Sequence, residues 1–160
     1  MWRMKRCIAD RIGGASRGIV GVLALAAAGA VQAFTPVPDI KPVLQIKQIV
    51  GQTEAAVAKM LGKAASCEQS KYGRRCEYRK SPARYEVVFI KGKADWITVE
   101  DPRIDNALTA PVWIGLPAKP VDVGTSEVLR WNGLGGLLEV SAYKGSGGRP
   151  SYLYIKSVTR

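Results

Sequence analysis

Residues 86–100, EVVFIKGKADWITVE, constrain the fold more than any other stretch. Two runs that alternate apolar and polar residues are reversed at Lys91-Gly92-Lys93, the pattern of a β-hairpin with one buried face. Parity assigns the faces. If Glu86 faces water, Tyr85, Val87 and Phe89 turn inward, and Val88 and Ile90 are left undecided. On the return strand Ile97 and Val99 point in, which turns Trp96, Thr98 and Glu100 outward. A tryptophan on the outward side of so regular a hairpin raises the question of what it meets there.

Strand patterns recur around this hairpin. CEYRK precedes it, and EVLRW, LLEVSAY and SYLYIKSV follow, separated by the glycines of NGLGG and KGSGG. The same parity points Leu138, Val140, Ala142, Leu153 and Ile155 toward the core. Tyr143, Tyr152, Tyr154 and Lys156 then face outward, joining Trp96, Arg79 and Arg130. Two helices are expected. GQTEAAVAKMLGK has Thr53 to cap it, an apolar stripe at Val57, Met60 and Leu61, and Gly62 to end it. Asp101-Pro102 reads as a second start, with Ile104, Ala107 and Leu108 as its stripe and an interruption at Pro111. A shift of 53 residues superposes EVVFIKG on EVSAYKG and Leu61-Gly62 on Ile114-Gly115. The expected fold is α+β: two α-β-β-β units, about residues 44–100 and 101–160, sharing one antiparallel sheet with helices packed on one face.

Residues 1–33 carry Arg3, Lys5, Arg6, Arg11 and Arg17 ahead of or beside the apolar run GIVGVLALAAAGAV, which ends in small residues. This is the pattern of a secretory signal cleaved after Ala33, and the run is shorter than the roughly 20 residues that a membrane span prefers. An uncleaved anchor is the alternative. Cys7 stands ahead of the apolar run rather than at its end, so it is not placed for lipidation. Residues 34–43, FTPVPDIKPV, form an extended lead-in with three prolines, and residues 44–160 suffice for one domain. The expected location is periplasmic or secreted. The formal charge of +11 falls to about +7 once the leader, with five basic residues and one acid, is gone.

Loss of the leader leaves Cys67 and Cys76 as a pair in an oxidising compartment, which reads as a structural disulfide closing CEQSKYGRRC. In the chain-entropy view such a loop contributes about 2.5 to 3 kcal/mol. A redox pair wants the closer C-x-x-C spacing, and a structural zinc site needs more ligands than two cysteines and no histidine.

A secreted chain with the helix end MLGK, a nearby disulfide and tandem units of helix followed by antiparallel strands resembles the β-lactamase inhibitor proteins and the small outer-membrane lipoproteins of the SmpA/OmlA type. The likeness covers most of the expected mature chain, residues 34–160, as topology, carried by Leu61-Gly62 and the hairpin VVFIKGKADWITVE. It departs from the lipoproteins in lacking the lipidated cysteine. The resemblance implies a binding module rather than an enzyme and assigns no inhibitory or docking residue.

The chain has no histidine, which excludes serine-histidine and cysteine-histidine nucleophile pairs and histidine metal sites. Glu100 and Asp101 are adjacent and, in extended chain, face opposite ways; a hydrolase using carboxylates alone is the distant alternative. GSGG (145–148) lies between strands and lacks the lysine and hydroxyl of a phosphate-binding loop. Nothing calls for a cofactor or a metal. Two features remain. Between residues 71 and 93 stand eight basic side chains (Lys71, Arg74, Arg75, Arg79, Lys80, Arg84, Lys91 and Lys93) against Glu77 and Glu86, a cluster suited to an anionic envelope polymer or lipid surface, or else an ordinary solvated face. Export argues against nucleic acid. The second feature is the outward face with Trp96, Tyr143, Tyr152, Tyr154, Arg79, Arg130 and Lys156. Such a face suits a protein partner or a second copy of the chain, or serves cross-strand stabilisation alone.

Mass spectrometry of the exported chain before and after reduction checks the bridge. The expected result is no free thiol at Cys67 and Cys76 and a gain of two hydrogens on reduction; two free thiols without reductant would refute it.

Overall fold

The computed structural model describes residues 39–157, so the leader and residues 34–38 of the lead-in lie outside the described residues. Its framework is one antiparallel sheet of eight strands: β1 (Ser66–Ser70), β2 (Gly73–Lys80), β3 (Ala83–Ile90), β4 (Lys93–Glu100), β5 (Val123–Gly124), β6 (Val128–Asn132), β7 (Glu139–Lys144) and β8 (Pro150–Lys156). Their spatial order is β1-β2-β3-β4-β8-β7-β6-β5. Each half is thus a run of sequential antiparallel neighbours, and the halves meet where β4 pairs with β8.

This overturns the α+β expectation, because the helices are too few and too short to form a layer over the sheet. Among the described residues only two short α-helices are found, α1 (Glu54–Leu61) and α2 (Ala110–Trp113), and the sheet dominates. Each half has four strands, not three. The added strand of the first half lies inside the disulfide loop, where Cys67 opposes Cys76 and the chain reverses at Lys71-Tyr72. The second helix shrinks for a local reason. Both oxygens of Asp101 are taken by Arg103, so the segment turns instead of entering a helix. Helical structure begins only after Asn106, whose side chain accepts from the Leu108 N–H, and Pro111 falls inside α2 rather than interrupting a longer helix. Leu108 is exposed.

The first helix follows its signals. Thr53 accepts from the Ala56 N–H, the Gly62 N–H returns to the Ala58 carbonyl, and Gly62 takes a φ of 95°, which favours glycine. Val57 and Leu61 are buried, and Met60 is half-buried.

Register places Val87 opposite Ile97 and Tyr85 opposite Val99, all on the helix side. Ile97 in turn faces Ile155, and Val99 faces Leu153. These side chains, with Val140, Ala142 and Trp131, form the core beneath α1, α2 and the turn at Ile46–Gln48. Leu138 departs from its expected inward place and is exposed, because β7 begins one residue later and Leu137 fills the core instead. Gly73 is required where it stands: a Cβ there would meet the Phe89 carbonyl oxygen at 2.2 Å.

One irregularity matters at the junction of the halves. The β3–β4 register slips between Val88 and Phe89, so that Phe89 faces Ala94 and Asp95 has no opposite residue. Asp95 is fully buried and accepts from Lys156 Nζ and, at 2.8 Å, from Ser157 Oγ; its carbonyl accepts from the Ser157 N–H. Both donors come from the end of β8. The bulge thereby stitches β4 to β8 with side chains as well as backbone.

Lys156→Met removes the only cation bound to the buried Asp95 carboxylate among the described residues. The expected cost is about 3 kcal/mol at neutral pH, read from urea unfolding. Adding Asp95→Asn to the same chain should recover part of that loss.

Candidate functional site

The sheet has one face under the helices and one turned away from them. Alternation from the buried Val87, Ile97, Ile155 and Val140 places Glu86, Trp96, Thr98, Tyr154, Lys156, Ser141 and Arg130 on the outer face. Among the described residues no helix packs on it, and of its side chains only Val88 and Ser141 are buried.

Trp96 lies directly between Val88 on β3 and Lys156 on β8. Its ring is 4.5 Å, centroid to centroid, from that of Tyr72, which reaches back from the β1–β2 turn. Lys156 Nζ stands 4.4 Å from the Trp96 ring centre, and Lys71 Nζ 4.7 Å from that of Tyr72. The result is a row of cation, ring, ring, cation. Each cation held over a ring is worth about 0.5–1 kcal/mol at an exposed site. The indole N–H of Trp96 is buried without an acceptor among the described residues, so Trp96 offers its ring rather than a donor.

The other aromatics extend this row across the second half. Tyr154 faces Thr98 on one side and Ser141 on the other. Burial raises its phenol pKa above the ordinary value, and the nearby Glu139 and Asp95 carboxylates push the same way. Tyr143 and Tyr152 are direct cross-strand partners and stack with centroids 4.5 Å apart. Arg130 is engaged by Glu139 at 3.1 Å, and its Nε also donates to Ser141 Oγ. Arg79 shares the face but not the cluster. It sits on β2 level with Glu100, at the far end from Trp96, and pairs with Glu77 at 2.8 Å.

The eight basic residues of 71–93 are not one patch. Arg74 turns to the helix side and pairs with Glu54 at 2.8 Å, and Lys80 donates to the Met60 carbonyl there. On the outer face Arg75 is held between Glu86 and Glu68, and Arg84 between Glu77 at 3.1 Å and Glu100 at 3.9 Å. Three of these acids, Glu54, Glu68 and Glu100, come from outside the basic stretch. The outer face of β1–β4 is therefore an alternating lattice of charge rather than a cationic field. Lys71, Lys91 and Lys93 make no ion pair among the described residues; they stand on the two neighbouring turns at the Trp96 end.

Tyr72, Lys71 and Val88 complete the site and were not singled out for it by sequence. The available signal for Tyr72 was the cysteine spacing: a bridge between opposed strands centres the reversal on Lys71-Tyr72. Cys67 and Cys76 are bonded, with Cα atoms 4.1 Å apart. Glu54 lies beside them, but joined sulfurs offer no thiolate and its carboxylate already accepts from Arg74. No helix among the described residues is long and apolar enough to cross a membrane.

No protein-family model matches the chain, and no curated protein matches it significantly. Solved structures do give matches. One is a cysteine-rich secretory protein from Staphylococcus aureus subsp. aureus Mu50, at 10% identity and a TM-score of 0.49, over 73% of this chain and 46% of that one. The chain therefore spans less than half the length of that protein.

The charge lattice has a pH signature. Hydrogen bonds from Arg79 first, and then Arg84, hold Glu77 below its ordinary pKa of 4.5. Its ionised form is favoured by folding, so its contribution is complete above about pH 4.5 and is lost as pH falls through the lowered value. In Glu77→Gln, urea midpoints should fall less steeply with acidification below pH 4.5 than in the parent; parallel curves would refute the pairing.

Proposed function

We propose that this chain is an exported, non-enzymatic module that binds another protein through the outer face of its sheet, in the manner of an inhibitor or an envelope-assembly factor. The observation that carries this reading is the row Lys71, Tyr72, Trp96, Lys156, continued by Tyr154 and the stacked Tyr143–Tyr152 pair. Rings already ordered by one another lose little rotamer freedom when a partner covers them, and Tyr and Trp are the residues that most often dominate such interfaces. The chemistry of the chain leans the same way, since it has no histidine and the adjacent carboxylates Glu100 and Asp101 are engaged by Arg84 and Arg103. Export rests on the basic, apolar leader, together with a disulfide.

A second reading has its own support. Lys71, Lys91 and Lys93 leave the Trp96 end of the sheet with unpaired positive charge, suited to an anionic envelope polymer or lipid surface. Ionic strength separates the two, because charge-driven binding weakens steeply with salt while a desolvated aromatic interface does not.

Replacement of both Trp96 and Tyr154 with alanine tests the main reading. Both are outer-face residues and only half-buried, so the double variant should fold, and it should no longer retain, at moderate salt, the envelope protein that the parent chain retains. Retention unchanged by the pair, or lost from the parent merely on raising salt, would sink the proposal.

A further inference from the structure

A cleft of about 320 Å³ opens on the helix side of the sheet, at the end away from Trp96, between the turn at Ile46–Gln48, the end of α1 and the β2–β3 turn. Its size falls at the lower end of small-molecule sites. The walls are of two kinds. Val43, Leu44, Ile49, Met60 and Leu61 supply apolar surface, and Lys80, Arg103 and Tyr85, with Gln45, Gln48 and Ser81, supply polar groups.

The polar wall has capacity left over. Tyr85 lines the cleft and is only 1% exposed. Burial raises the Tyr85 phenol pKa, as does the Asp101 carboxylate, while Arg103 opposes them, so the hydroxyl stays a donor at neutral pH beside that pair. Arg103 donates Nε and Nη2 to Asp101 and has Nη1 free of partners among the described residues. Lys80 spends one of its three protons on the Met60 carbonyl. Asp101 is the acid in this neighbourhood, and it is already committed to Arg103 through both oxygens; two cations against one carboxylate leave the wall with net positive charge.

We propose that this cleft binds a small amphiphilic acid, with its anionic head on Lys80, Arg103 and the Tyr85 hydroxyl and a short unbranched tail along Leu44, Ile49 and Met60. An anion accepts from the Tyr85 hydroxyl and the spare cationic donors and also offsets the positive charge of the wall, which a neutral ligand does not, and the apolar wall rewards a tail that water would not occupy. The site lies on the opposite face and at the opposite end from the aromatic row and does not depend on the protein-binding reading.

Titration of the isotope-labelled chain with octanoate, followed by amide chemical shifts, tests this, with octanol as the neutral probe and octyl phosphate as the second acid. The expected result is saturable shifts at Leu44, Met60, Tyr85 and Arg103, with both acids binding about tenfold more tightly than octanol. Lys80→Gln should weaken octanoate severalfold and leave octanol nearly unchanged, and Tyr85→Phe should weaken octanoate more than octanol. Met60→Trp, which fills the apolar wall, should abolish binding of all three, and Leu44→Gln replaces it if the amide spectrum shows that Met60→Trp has not folded. Equal binding of octanoate and octanol, shifts confined to the outer sheet face, or undiminished binding to the filled cleft would overturn the proposal.

Discussion

Four backbone-paired positions, Trp96 to Val99 against Lys156 to Leu153, form the strand pairing that joins the first half of the sheet to the second. Either half alone is a four-stranded ribbon. Joined, they bring Ile97 against Ile155 and Val99 against Leu153, and the core becomes continuous from Cys76 to Trp131. The bulge at Asp95 reinforces the junction. By leaving one residue without an opposite, it turns a carboxylate to receive Lys156 and Ser157, so the last residues of β8 are bound by charge as well as by the ladder. A buried carboxylate is costly unless paired. Here the pairing cation also lies over Trp96, which ties the junction of the sheet to the aromatic row on its surface.

The parts of the fold legible in sequence are those built by apolar alternation. Tyr85, Val87, Ile97, Val99, Val140, Leu153 and Ile155 all face the core as their spacing requires, and Trp96 faces away for the same reason. The parts that were not legible have other causes. β1 is SCEQS, with no apolar rhythm; it exists because Cys67 is bonded to Cys76 across a hairpin. β5 is two residues long and exposed. Asp101-Pro102 carries the residues of a helix start, but Asp101 prefers the Arg103 guanidinium and backbone to a helix cap. Propensity was overridden by a local ion pair, which no pattern of spacing records.

The surface shows the same division. Counting charges along residues 71–93 suggests a cationic patch, because the count follows the chain while the charges neutralise one another across it. Glu68, Glu86, Glu77 and Glu100 interleave with Arg75, Arg79 and Arg84 on neighbouring strands. What the lattice leaves uncommitted are lysines on turns, and these gather beside the rings. The outer face is consequently graded: self-satisfied and hydrated at one corner, aromatic and positively charged at the other.

The disulfide has a further effect, owing to where it sits in the strand order. A wide sheet ends in two rows of unsatisfied backbone groups, each a template on which another chain can add. At one border of this sheet the last strand is only Val123–Gly124, too short to seed such growth. At the other, β1 is covalently tied to its neighbour, so it cannot peel away to expose the longer and more apolar rungs behind it. The cross-link therefore does more than restrict the unfolded chain. It also holds the edge strand in place at the margin of the sheet.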